Sequence, residues 1–487
     1  MVYQQLKIKK LLGGLLLAVT LITGCKKFTE QPYDNRADIQ TAEQYAQLLI
    51  NAYPLRHDMF TDILTDDFDY HAQLAQASNI ANYLPMYLWK DDYPDNIGSG
   101  PAVAYAEFYS KIFYTNLALE GIDAAPGTPE KKAAVKGEAL LLRSYCHFIL
   151  VNLFGMHYNP ATASKNLGVP VVTTINKGNI NYYRRNTVQE VYDKLEADAV
   201  EGLAQLKKAG TAVPSNPYHF SIAGANAFLA RIKLYKGEWD EAVKYADAVI
   251  AEKGRNVRRL SDDLPFKKSN GIPFFANRFM DPALHSNILM ISYSSGLAPI
   301  TTTGFQICGF FASDSITPLF GTNDLRSQLF TSVGTVIDNR MMAIKFATQP
   351  NSPNNTPIRT PYFTMEEVLL TRAEAMLRSN NANAVTEALS DIEALRKERY
   401  RPYNPLNPAV GRQVLLNTVL LERRKEFYNE GLRWYDVKRL GIAVEHRLGR
   451  NEAPASVLAP NDLRRAIQIP RMEQERNSPI TGELNPR

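Results

Sequence analysis

Apolar residues recur along most of this chain at intervals of three and four, the spacing of helices that bury one face. Several stripes start just after a threonine, at Thr41, Thr128 and Thr187. A threonine side chain accepts a hydrogen bond from the free N–H groups of a first helical turn, so these positions predict helix starts. The pattern predicts helices from 41, at 128–154, from 187, and at 222–236, 239–252, 364–378, 384–399 and 411–429.

Three of these helices share a local pattern in which apolar residues precede an arginine, at Arg143, Arg231 and Arg372. After the second and third, a short turn leads into a helix with alanine at every fourth position, such as Ala242 and Ala246. Small residues at these intervals are typical of tetratricopeptide hairpins, although ordinary amphipathic hairpins would give a similar pattern. The sequence predicts a mainly α fold of tetratricopeptide-like helical hairpins with long irregular loops and a few short strands.

Two long stretches, 58–101 and 254–361, lack the helical period. They contain Tyr, Asp, Asn, Gly and Pro, with short β-leaning pieces such as Ile288–Ile291. Irregular segments of this length in a compact domain are usually functional or disordered, and their aromatic content argues against disorder. We therefore expect ligand-contacting residues in these two stretches.

The first residues follow a different pattern. A basic stretch at 7–10 precedes an apolar run at 11–22, and Thr23-Gly24 stands directly before Cys25. The run has about half the roughly 20 residues of a membrane-spanning helix, so it predicts a secretory signal at 1–24. Its end resembles the lipobox of bacterial lipoproteins, which implies lipidation of Cys25 and a tether at 25–40. An ordinary signal peptide followed by an unrelated cysteine is the alternative.

Charge and composition narrow the functional classes. The net charge of +5 falls to about +2 once the signal lysines are removed, and no basic block remains, which argues against nucleic-acid binding. A hydrophobic share of 45% predicts a globular body with a substantial core. Cys146 and Cys308 have apolar neighbours, so we expect buried free thiols, with a disulfide as the alternative.

No motif for a metal or a cofactor is present. The seven histidines form no HExxH pair, and no phosphate-binding loop, dinucleotide fingerprint or G-x-S-x-G motif occurs. Asp66, Asp67 and Asp69 suggest calcium, but the segment lacks the glycine and distal glutamate of an EF-hand. The prediction is no cofactor and no metal site.

The C-terminal third carries a charged and aromatic segment that resembles the hallmark segment of the SusD/RagB family. Its residues are Glu422, Arg423, Arg424, Arg433, Trp434, Asp436, Lys438 and Arg439. Further matches follow the family's order along the chain, at Tyr109 to Leu119, Arg143 to Gly155, Asp324 to Arg326, Arg372 to Ala375 and Ile467 to Pro479. The chain departs from the family with Tyr105 in place of Trp and Lys26-Lys27 in place of an acidic run.

The resemblance implies a lipoprotein of the Gram-negative outer membrane that usually faces outward. It implies a SusD-like domain at 41–487, with an N-terminal helical part at 41–250 and a C-terminal part at 251–487. Members are not enzymes. They bind an oligosaccharide, or in some cases a peptide, and lie as a lid over a SusC-like, TonB-dependent transporter that imports it.

Glu422, Glu426 and Glu430 share one helix face, and two carboxylates can hydrolyse a glycosidic bond. Arginines and a lysine are interleaved with them, and such neighbours keep carboxylates ionised. We therefore expect a structural ion-pair network around the Trp434 turn and no catalytic residue. A lipoprotein glycoside hydrolase and a helical-repeat scaffold for envelope proteins remain the alternatives.

Sugar recognition requires flat aromatic faces with amides and carboxylates nearby. Trp89 lies in a Pro-bounded aromatic stretch and is the first candidate platform; the alternative is that it pins this stretch to the core. The supporting residues are Tyr83, Tyr93, Asp92 and Asn96. The second candidate is Phe310 and Phe311 with Asp314, and the third is Phe274 and Phe275 with Asn277.

Overall fold

Helices make up most of the structure, and several begin at the residues that the sequence indicates. The side chains of Thr41, Thr128 and Thr187 each accept a hydrogen bond from the backbone three residues on. The first of the helices are α1 (Ala42–Leu49), α2 (Ala77–Tyr87), α3 (Pro101–Gly121), α4 (Pro129–Phe154), α5 (Val188–Ala209), α6 (Ile222–Lys236), α7 (Trp239–Lys253) and α8 (Leu260–Asn270). The others are α9 (Met365–Arg378), α10 (Ala384–Arg396), α11 (Arg412–Glu426), α12 (Arg433–Arg439), α13 (Arg471–Arg476) and α14 (Ser478–Thr481).

This computed structural model describes residues 39–72, 75, 77–91, 93–95, 98–175, 181–270, 278–294, 308–334, 339–346 and 358–487. The signal segment, Cys25 and most of the predicted tether lie outside the described residues, as do Asp92, Asn96, Phe274, Phe275 and Asn277. Residues 41–487 form one compact unit. Among its described helices, none combines the length and apolar character that a bilayer crossing requires.

Helical hairpins carry the fold, which confirms the mainly α prediction. Helix α4 packs on α5, α6 on α7 and α9 on α10. Close approach depends on small residues: a Cβ at Gly137 of α4 would lie 2.9 Å from the carbonyl oxygen of Gly202 in α5. The repeated arginines connect helices, since Arg143 binds Asp198 of α5 at 2.8 Å and Arg372 binds Asp391 of α10 at 2.6 Å.

Most of the short strands lie in the stretches that lack the helical period, and one pair lies nearer the C-terminus. One sheet of four strands has the order β1-β3-β5-β4, and antiparallel pairs join β2 to β6 and β7 to β8. The strands are β1 (Phe68–Tyr70), β2 (Ile288–Ser294), β3 (Phe310–Ala312), β4 (Phe330–Gly334), β5 (Asn339–Ala343), β6 (Ile358–Thr364), β7 (Val444–His446) and β8 (Ser456–Leu458). The aromatic stretch around Trp89 was predicted as a loop, but its first part is the helix α2, which contains Pro85.

Basic and amide side chains from distant segments close the C-terminal end of α4. Lys438 donates to the carbonyl oxygens of Asn152 and of Gly155, the latter at 2.7 Å, while Arg185 donates to Phe154 O at 3.0 Å. The last carbonyl groups of a helix have no partner within it, and cations are favourable at that negative end. The hallmark segment is therefore fixed onto the longest helix.

Cys146 and Cys308 are free and buried, as expected.

Candidate ligand-binding site

The acidic residues of the hallmark segment lie in a buried network of ion pairs. Glu422 accepts hydrogen bonds from Arg326 at 2.5 Å, Arg396 at 3.0 Å and the Tyr400 hydroxyl at 2.6 Å. Burial would raise the pKa of Glu422, but the charges of Arg326 and Lys425 outweigh it and hold the pKa below its ordinary value. A carboxylate held ionised in this way is a poor general acid.

The arginines of the segment bind two of the three carboxylates that suggested calcium. Arg433 binds Asp66 through two contacts of 2.8 Å, and Arg424 binds Asp67 at 2.7 Å. Asp436 is shared by Arg423 at 2.9 Å and Arg439 at 2.7 Å. Within the described ranges, no group of three or more His, Cys, Asp or Glu side chains is arranged to hold a metal ion.

The structure brings the first and second predicted platforms together in one aromatic cluster. The Trp89 ring stacks on His446 with centroids 4.1 Å apart, and Tyr87 stacks on the same imidazole at 3.8 Å. Phe310 lies 5.4 Å from both Tyr87 and Tyr70. We call Tyr70, Tyr87, Trp89, Phe310 and His446 the aromatic cluster.

Most of the predicted ligand-contacting side chains that the structure describes are buried. Trp89 is 6% exposed and its indole N–H donates to Leu64 O at 3.1 Å, while the Tyr93 hydroxyl donates to Gln468 O at 2.9 Å. This burial and hydrogen bond match the alternative stated above, that Trp89 anchors its segment to the core. Ligand contact by these residues stays a prediction. The other buried members are Tyr83, Phe310 and Phe311.

Asp314 is the one described candidate on the surface. Its two carboxylate oxygens bind the guanidinium of Arg450, each at 2.6 Å, and its backbone N–H donates to Asp69 at 2.9 Å. Both side chains of the pair are more than one third exposed. An exposed ion pair of this kind can exchange one partner for a polar ligand at low cost.

An exposed aromatic pair that sequence reasoning missed lies elsewhere on the surface. The rings of Tyr218 and Tyr293 are stacked, with centroids 5.0 Å apart and planes only 6° from parallel. Their hydroxyls are 3.0 Å apart, and Tyr293 is 39% exposed. We call Tyr218 and Tyr293 the tyrosine pair. It is the kind of flat, partly exposed surface on which a sugar ring stacks.

Backbone and side-chain contacts hold the tyrosine pair in place. The N–H of Ile291 in β2 donates to Pro217 O at 2.9 Å, which brings Tyr218 alongside the strand that carries Tyr293. His219 then lies 2.6 Å from Glu138 of α4, and the hydrogen bond to this carboxylate raises the pKa of His219 although burial opposes it. Only the turn residues Asn216 and Pro217 mark this site in the sequence, because its partners are more than 70 positions apart.

Comparisons with known proteins give the family. A family model described as "Starch-binding associating with outer membrane" matches residues 27–234, and one described as "SusD family" matches residues 321–484. The chain belongs to the SusD/RagB family. The hallmark segment of this SusD/RagB chain lies within the second match.

Relatives and solved structures agree with that assignment. A SusD-like protein of Formosa agariphila is 25% identical over 420 residues, or 76% of this chain and 78% of the relative. A second one from the same organism is 25% identical over 489 residues, or 88% and 90%. The fold is shared with a SusD superfamily protein of Bacteroides thetaiotaomicron at a TM-score of 0.73 and 21% identity, covering 92% of this chain and 100% of that one.

A further structure is a surface glycan-binding protein A from Bacteroides uniformis. It shares the fold at a TM-score of 0.70 and 17% identity, covering 91% of this chain and 99% of that one. The names of the family models and of this structure associate the family with carbohydrate binding and with the outer membrane.

Proposed function

We propose that this SusD/RagB protein binds an oligosaccharide at the cell surface and passes it to a SusC-like, TonB-dependent transporter. The body would be held at the outer membrane by lipid on Cys25. Binding and delivery require no bond to be broken, so the proposed protein is not an enzyme. Family membership supports the carbohydrate class and the membrane location.

The observation that carries the proposal is the tyrosine pair. The two rings are stacked with nearly parallel planes, and the outer face of the 39% exposed Tyr293 can receive the C–H groups of a pyranose ring. The stacked geometry also means that little side-chain freedom remains to be lost on binding, because the neighbouring ring already fixes each one. Hydroxyl groups at one edge of the pair are then available to a hydrated ligand.

Replacing Tyr293 tests the site. We expect Tyr293→Ala to weaken oligosaccharide binding about 5- to 30-fold, because loss of aromatic contact with a sugar ring costs about 1–2 kcal/mol. Affinity electrophoresis against a panel of starch, xylan, mannan, galactan, pectin and alginate measures the effect. Tyr182→Ala is the matched control, since Tyr182 is 57% exposed outside the pair and its removal should leave binding unchanged.

If Tyr182→Ala and Tyr293→Ala weaken binding equally, the tyrosine pair is not the site. If no polysaccharide of the panel retards the wild-type protein, the proposed carbohydrate function is wrong. A thermal melt of each variant shows that it is folded, which separates loss of the site from loss of the protein.

Delivery to a transporter is tested by isolation from the membrane. We expect a tagged full-length protein, extracted from outer membranes in mild detergent, to bring down a TonB-dependent barrel in near-equal amount, identified by mass spectrometry. Cys25→Ser, which removes the acylated thiol, should shift the protein to the soluble envelope fraction. Recovery with soluble envelope proteins instead of a barrel would favour the scaffold function.

A further inference from the structure

Two charged side chains beside the tyrosine pair, Arg359 and Asp281, lie close together without a hydrogen bond between them. Arg359 of β6 is the direct cross-strand partner of Tyr293, so the two side chains share a face of the sheet. The guanidinium carbon lies 5.9 Å from the Tyr293 ring centroid. Its Nε is buried without a hydrogen-bond partner, and leaving such a donor unpaired is costly.

Among the described residues, Asp281 carries the carboxylate nearest to Arg359, but the two side chains do not form a hydrogen bond. Its Oδ2 is 3.7 Å from Nη1 of Arg359, which is beyond hydrogen-bond distance. A turn fixes this position, because the backbone N–H of Asp281 donates to Arg278 O at 3.1 Å and Oδ1 accepts from the N–H of Ala283 at 3.0 Å. Oδ2 is therefore left as an acceptor that faces an incompletely bonded guanidinium.

We propose that Arg359 and Asp281 together bind two adjacent hydroxyl groups of one sugar unit stacked on Tyr293, and that they select uncharged sugars over acidic ones. This inference rests on the proposed function. The guanidinium would donate to one hydroxyl oxygen, and the carboxylate would accept a hydrogen from the next. Both side chains are partly exposed, at 22% and 32%, so a ligand can reach them from solvent.

Charge balance is the reason for the selectivity. An arginine alone beside an aromatic ring would favour a carboxylate or a sulfate ester, through paired charge-assisted hydrogen bonds. Here the opposite charge of Asp281 stands beside it, so the site is neutral and an anionic group would meet a like charge. A sugar that carries hydroxyls satisfies both partners at once.

Matched pairs of ligands distinguish recognition of uncharged sugars from recognition of acidic sugars. The probes are pectic galacturonan, alginate and a sulfated carrageenan, each beside its carboxyl-reduced or desulfated form, together with the neutral members of the panel. Each pair differs only in whether one position bears a charge. We expect the wild-type protein to bind the neutral form of at least one pair, or a neutral panel member, about tenfold more tightly than the acidic forms.

Two variants that each remove one charge test the assigned residues. Asp281→Asn should weaken neutral binding about tenfold and narrow the difference between neutral and acidic forms, because it removes the repelling charge. Arg359→Gln should weaken binding of the neutral ligand to a similar extent. Glu241→Gln is the control, since Glu241 forms an exposed ion pair with Lys244 on α7 and should change nothing.

The outcomes distinguish this inference from the proposed function. Tighter binding of the acidic forms by the wild-type protein overturns the selectivity. If Tyr293→Ala abolishes binding but Asp281→Asn and Arg359→Gln leave it unchanged, the inference is wrong and the carbohydrate function stands. If no polysaccharide binds at all, both are wrong.

Discussion

Glu422→Ala is expected to lower the free energy of unfolding by about 3–5 kcal/mol, a large share of the total of a folded domain. The carboxylate is only 2% exposed and holds Arg326 and Arg396, with the Tyr400 hydroxyl as a third donor. Its removal leaves buried positive charge without compensation, which costs far more than the loss of a surface pair. Urea unfolding followed by circular dichroism measures the effect.

Glu241→Gln is the matched control for this substitution too. The side chain of Glu241 is 44% exposed and that of its partner Lys244 is 66% exposed. We therefore expect the free energy of unfolding to change by no more than about 0.5 kcal/mol. The comparison also tests the hydrolase alternative. A Glu422→Ala protein of unchanged stability that had lost a hydrolytic activity of the wild type would contradict the structural role of this residue.

Acid should weaken the hallmark segment through Asp436. Burial would raise the pKa of Asp436, but Arg423 and Arg439 lower it to about 2. The unfolded carboxyl therefore takes up its proton first as the pH falls, so stability that is present above about pH 4 is lost toward pH 2. The expected loss from this residue is about 1 kcal/mol by pH 3 and about 2 kcal/mol by pH 2.

Comparing the wild-type protein with Asp436→Asn isolates this contribution. The variant is less stable at neutral pH because two buried arginines lose their partner, but its free energy of unfolding should fall less steeply between pH 5 and pH 2. Urea unfolding at one-unit pH intervals measures both curves. Parallel curves for the two proteins would show that the pKa of Asp436 is not depressed in the fold.

Local signals in the sequence were sufficient to predict where most helices begin. Thr41, Thr128 and Thr187 cap helices because capping depends only on the next three residues. The helices predicted at 384–399 and 411–429 end earlier, at Arg396 and Glu426, where no glycine or proline marks the end. Helix ends without such a residue are set by packing, which one sequence does not display.

The exposed aromatic residues, which form the proposed ligand-contacting surface, were harder to predict for the same reason. Trp89 and Phe310 were chosen for their aromatic character, but their exposure depends on which residues pack over them. His446, which is distant in the sequence, packs on Trp89, and Tyr87 from a helix packs on Phe310. Tyr293 is exposed on the surface, and its stacking partner Tyr218 lies 75 residues away in the sequence. Residue type predicts which side chains are able to contact a sugar, while long-range pairing decides which of them are exposed.

The closure of α4 by residues from the end of the chain has a consequence for the order of folding. Phe154 O receives hydrogen bonds from Arg185 and from Asn485, which lies 331 positions later, and Lys438 completes the same helix end. The final turn of the longest helix therefore stays incomplete until nearly the whole polypeptide has been synthesised. Late closure of this helix end fits the proposed export, because a polypeptide that is threaded across a membrane must be unfolded during its passage.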